Sequence, residues 1–89
     1  MKYIVVCATY NQDAGMYVDA AEPFDNAVDA AKFVVNDWHV TLVKGFDEKP
    51  LDFDDVMQKV KAMKPGDTKC WKSDESYGIN EHHWKVFAH

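Results

Sequence analysis

Phe24, Ala27, Val28, Ala31, Val34, Val35 and Trp38 fall at i, i+3, i+4, i+7, i+10, i+11 and i+14. That spacing puts seven apolar side chains on one face of a helix of about four turns and obliges the chain to bury that face. Pro23 near the first position fits the opening of such a helix. With 89 residues available, the surface to be met belongs to the same small core, and residues 1–89 are expected to form one domain.

The segments around the helix read as its partners. Met1 to Tyr10 is rich in β-branched and aromatic residues on both alternating faces, with Tyr3, Val5, Cys7 and Thr9 on one and Ile4, Val6, Ala8 and Tyr10 on the other. This suits a central strand covered on much of both sides. Asn11 to Gly15 is turn chemistry, and Met16 to Ala20 returns as a short second strand. His39 to Phe46 reads as a third strand on its content of Val40, Leu42 and Val43, leaving by Gly45.

A second helix opens at Asp52, with Asp55 in the place of a capping-box partner and Leu51 placed to staple onto Val56. Phe53, Val56, Met57, Val60 and Met63 form its buried stripe. Lys59, Lys61 and Lys64 answer the dipole at its carbonyl end, and Pro65-Gly66 stops it. Thr68 to Ser73, a loop around Glu75 to Asn80, and His82 to Ala88 make a last hairpin. The expectation is an α+β fold of order ββαβαββ, a two-layer arrangement with a mostly antiparallel sheet and both helices on one face.

Charge and cysteine usage narrow the function. Fifteen acids face ten bases for a net charge of -5, and every base is lysine. The lack of arginine joins the acidic balance in arguing against direct nucleic-acid binding. The charge is uneven, with residues 11 to 55 carrying eleven acids against three lysines. No apolar run approaches the roughly 20 residues of a membrane span, and the N-terminus has no secretory pattern. Cys7 and Cys70 stand alone without a CxxC, which favours a reducing cytoplasm over a disulfide framework.

Candidate chemistry is thin. Zinc wants about four tetrahedral ligands, but His82 and His83 are adjacent on a strand and point to opposite faces. His83 and His89 share a face about 20 Å apart. Cys7 reads as a small buried hydrophobe, and no catalytic fingerprint occurs, so neither a metal, a cofactor nor an enzyme is expected. Trp71, Trp84, Tyr77 and Phe87 near Lys69, Lys72 and Lys85 could form a stacking platform for single strands, but read better as core with lysines outside.

One residue departs from the pattern. Phe33 lies about 180° from the apolar stripe, with Asp29 and Asp37 one turn away and Asn26 two turns back. An aromatic ring among carboxylates suits a protein-binding surface, and Asp47, Glu48 and Asp54 extend the same negative field, although acids in a first helical turn also answer the dipole. The reading is a small acidic protein-binding module, an inhibitor or regulator docking on a basic, nucleic-acid-handling protein, of the kind phages and mobile elements use. The alternative is a small-ligand or metal-binding module, and homodimerisation stays open.

Overall fold

The computed structural model describes residues 1–73 and 80–89. The loop expected around Glu75 to Asn80, and with it Tyr77, falls outside the described residues except for Asn80.

Four strands form one antiparallel sheet of order β2-β1-β4-β3: β1 (Tyr3–Asn11), β2 (Gly15–Phe24), β3 (Thr68–Lys72) and β4 (Asn80–Ala88). β1 is central, as its apolar content requires, and pairs from Tyr3↔Ala88 to Asn11↔Asn80 with β4. Helices α1 (Ala27–Trp38) and α3 (Phe53–Lys61) pack on one face, and the fold is α+β. Tyr3, Val5 and Cys7 meet Trp84, Val86 and Ala88 from the neighbouring strand in a shared core with Ala30, Ala31, Val34, Val56 and Val60.

The expected strand at His39 to Phe46 is helical, which makes the order ββααββ. After Trp38 the chain continues through a π-helical stretch, His39–Val43, into a further turn, α2 (Lys44–Phe46). Leu42 explains this. It stands four residues after Trp38 and is completely buried, so extending the helix prolongs the apolar face. The helix penalty of a few tenths of a kcal/mol at each β-branched residue is smaller than the ~2 kcal/mol of burying a leucine. The backbone N–H of Lys44 reaches back to His39 O, the five-residue bond of a π turn. Asp47 ends the helix in the left-handed region at φ 57, a conformation aspartate tolerates better than most residues.

Two boundaries also differ from expectation. β2 runs on to Phe24, with Pro23 opposite Ile4. An edge strand accepts proline where the missing N–H would face away from the ladder. The helix opens instead at Asn26, whose side chain accepts from Asp29 N–H at 2.8 Å and donates to Asp29 Oδ2 at 3.0 Å. At α3 the expected cap holds, with Asp52 accepting from Asp54 N–H at 2.9 Å, while Asp55 pairs with Lys59 at 3.0 Å.

Among the described residues no helix packs on the far face of the sheet. Cover of β1 there is partial: Ala8 is buried, Ile4 and Val6 are half-buried, and Tyr10, Met16, Val18 and Phe87 are exposed. Trp84 and Trp71 turn inward against the core, as the packing reading of the last hairpin has it, whereas Phe87 turns outward.

Leu42→Ala should destabilise the domain by about 2–5 kcal/mol, as core truncations do, and Val40→Ala by less than about 0.5 kcal/mol. In a strand, residues 40 and 42 would share a face and respond alike. Urea denaturation of both variants separates the two backbones.

Candidate functional site

The end of α1 and the π turn leave part of the sheet uncovered on the helix side, and a cavity of about 490 Å³ opens there. Its floor is the stretch of β1 and β4 around Thr9 and His82, its β2 wall carries Tyr17 and Asp19, and its helix wall carries Asp37 and Thr41. The π turn begins two residues after Asp37, and insertions of this kind recur at functional sites.

Asp19 owes its place to a β-bulge. Ala20 pairs with Cys7 and Val18 with Ala8, so Asp19 is an extra residue with no partner across the ladder. The bulge puts Val18 and Ala20 on opposite faces and leaves Asp19 at the cavity, where Thr9 Oγ1 donates to its carboxylate at 2.5 Å. Thr9 is itself 4% exposed. With that proton committed to Asp19, Thr9 Oγ1 can only accept from His82 Nδ1, a long contact at 3.4 Å.

Asp37 is the second carboxylate. The indole N–H of Trp84 donates to its Oδ2 at 2.7 Å, and it also accepts from the Cys7 thiol. Burial, then the field and hydrogen bond of Asp37, then the fields of Asp19 and Glu22 push the Cys7 thiol from its ordinary 9.0 up to about 12. The thiol is thus held neutral, the opposite of an activated nucleophile. At the strand ends, Asn11 Nδ2 donates to Asn80 Oδ1 at 2.9 Å, fixing the Asn80 amide at the cavity edge.

The residues expected to form one docking surface are distributed differently. Phe33 is half-buried and its ring meets Phe24 of β2 at 5.4 Å. The helix face opposite the apolar stripe is in fact the flank turned toward β2, so Asp37 lies in the cavity and not beside an open ring. Asn26 and Asp29 cap the start of α1, while Asp47 and Glu48 lie at the far end of the continuous helix, about 30 Å away at 1.5 Å per residue. Asp54 is exposed in the first turn of α3. Thr9, Tyr17, Asp19, Thr41 and Asn80 were not singled out from sequence. Their only sequence signal was a polar residue, Thr9, inside the most apolar strand.

His82 and His83 both line the cavity, and the His83 side chain pairs with Glu81 at 3.0 Å. Among the described residues, no three of His, Cys, Asp and Glu come together around a common point that could hold a metal ion. Cys7 and Cys70 are both free thiols.

Two consequences of the Cys7 environment are measurable. In a Cys70→Ser background, Cys7 should resist iodoacetamide at pH 8 in the folded state, and Asp37→Asn should speed its alkylation by removing the neighbouring charge. Because folding raises this thiol, it stabilises the fold fully below pH 9 and loses that contribution as pH climbs from about 9 to about 12. The difference in unfolding free energy between wild type and Cys7→Ala should therefore shrink across that window.

Family models, curated proteins and solved structures were all compared with this chain, and none matches it.

Proposed function

We propose that this domain is a small acidic protein-binding module that docks on a basic partner, most naturally as an inhibitor or regulator of a nucleic-acid-handling protein. The observation that carries the reading is an unbroken acidic sector at a free sheet edge. From Asn11 to Ala31 the chain holds Asp13, Asp19, Glu22, Asp25 and Asp29 and no basic residue, and all five acids are exposed. This stretch includes β2, a ten-residue edge strand whose outer hydrogen-bonding groups face no other strand of the sheet. The described cation set against it is Lys2, paired with Asp25 at 3.3 Å.

An unpaired edge accepts an extended segment by strand addition, and the acids along it select one bearing lysine or arginine. Tyr17, at 48% exposure, and Met16 and Val18 beside it supply apolar contact at the same edge. The opposite edge, β3, is five residues long and carries Lys69 and Lys72, features that discourage pairing. In this reading Asp29 and Asn26 contribute at the start of α1, Phe33 supports Phe24 from beneath, and Asp47, Glu48 and Asp54 add long-range field. The module acts by binding and not by catalysis. No described helix is long and apolar enough to cross a membrane, and two free thiols suit a reducing cytoplasm.

The cavity favours a second reading, a small-ligand module, because about 490 Å³ lies within the ~300–1,000 Å³ usual for such sites.

The docking reading is tested on a purified pair. Capture from nuclease-treated lysate nominates a partner, which is then purified and titrated against the domain. Binding should weaken at least tenfold between 50 and 500 mM salt, and at least tenfold again with Glu22→Lys, whose exposed side chain leaves the core intact. A partner whose affinity ignores both salt and this charge reversal would sink the reading.

A further inference from the structure

We propose that the cavity between β1, β2, β4 and the π turn is a receptor for a guanidinium group. This goes beyond the docking reading and stands without it. The inference starts from what the cavity walls offer to a ligand. Asp19 lies on the β2 side and Asp37 on the helix side, and among the described residues the lining contains neither lysine nor any other permanent cation. Asp19 accepts at Oδ2 from Thr9, and Asp37 accepts at Oδ2 from Trp84 and also from the Cys7 thiol, which fixes both carboxylates in orientation. A carboxylate offers about four lone-pair sites, so both keep acceptor capacity for a guest. The hydroxyls of Thr41 and Tyr17 add acceptor capacity on the same two walls.

The arrangement asks for a guest that is donor-rich, positively charged and flat. Tyr17 and His82 bring ring surfaces to the cavity, and the His82 ring stands 6.2 Å from that of Trp84, which is buried beneath it. A guanidinium satisfies all three demands, since its planar fork bridges two carboxylates while its face lies on aromatic rings. An ammonium is a compact, strongly hydrated charge that gains little from flat walls and gives up more hydration on entry. Burial and the fields of Asp37 and Asp19 hold the Cys7 thiol up to about 12, in keeping with a negative floor. The chain contains no arginine, so neither its own segments nor a second copy can supply the group.

The test uses Nα-acetyl-arginine amide, its lysine analogue and its neutral isostere, Nα-acetyl-citrulline amide. Each is titrated into the whole ¹⁵N-labelled domain while the indole N–H of Trp84 is followed by NMR. The arginine amide should shift that resonance saturably and bind at least tenfold more tightly than the lysine amide, with no saturable shift from citrulline. Asp37→Asn should weaken arginine binding at least tenfold, with the amide oxygen still able to accept from Trp84. Asp19→Asn, at an exposed position, should weaken it severalfold and carries the test if Asp37→Asn does not fold. Equal response to citrulline, or wild-type affinity in the folded Asp19→Asn and Asp37→Asn variants, overturns the proposal.

A second arm identifies the source of the group. A nine-residue extended peptide with one central arginine is compared with the free amide, each against wild type and Glu22→Lys. Tighter peptide binding that Glu22→Lys reduces assigns the guanidinium to a protein partner on β2. Equal affinities that Glu22→Lys leaves unchanged assign it to a small molecule and refute the docking reading while the cavity assignment stands.

Discussion

The hydrogen bond from the Trp84 indole to Asp37 joins the two layers at the point where core becomes cavity. Trp84 is 1% exposed, so its N–H must find an acceptor or cost about 1–3 kcal/mol. A carboxylate on the last full turn of α1 meets that need at 2.7 Å. The same contact sets the rotation of the helix. With Asp37 turned to the sheet, Trp38 packs on Trp84 at 5.0 Å and its own indole N–H reaches Lys49 O at 3.0 Å. That last bond draws the chain leaving the helix back beside it and positions the approach to α3.

The rotation has a second effect. A carboxylate used to satisfy a core tryptophan is held rigidly, yet it is charged, and charge at the edge of a core has to be offset. Here the Cys7 thiol and Trp84 supply hydrogen bonds but no positive charge. The core therefore ends on a negative wall, and the bulge at Asp19 brings a second carboxylate to face it. Asp37 serves the core by satisfying Trp84, but the bulge is not needed to complete the sheet, and a regular β2 would pair with β1 more simply. Departures of this sort, where local rules yield without structural gain, are the usual mark of sites under functional demand.

How much of this could be read from sequence depends on what fixes each element. The apolar periods of α1 and α3, the Asp52 cap and the two hairpins are local, and they were legible. The stretch from His39 to Phe46 was not, because four residues with β-branched and apolar content satisfy strand and helix equally until the burial of Leu42 decides. Phe33 and Asp37 were misplaced for a related reason. A helical period identifies the most apolar arc, but a helix touching both a sheet and another helix buries a wider one, and its margin can hold a half-covered ring and a bonded acid. The cavity was illegible as a unit, since Thr9, Asp19, Asp37 and His82 come from four elements, brought together by strand register and by the packing of α1 on the sheet.

Register also links the cavity to the acidic edge. β2 reaches the cavity at Tyr17 and Asp19 and continues as the free edge through Glu22. A segment paired along that edge would run past the cavity mouth, because the bulge that opens the one interrupts the other. Strand addition favours a long contact with weak side-chain selectivity, whereas a charged cavity favours one side chain of definite shape. Placed side by side, the two demand a basic segment with a specific cation at a fixed register. That is a stricter requirement than net charge alone, and it is how a domain with a net charge of only -5 can be selective among basic proteins.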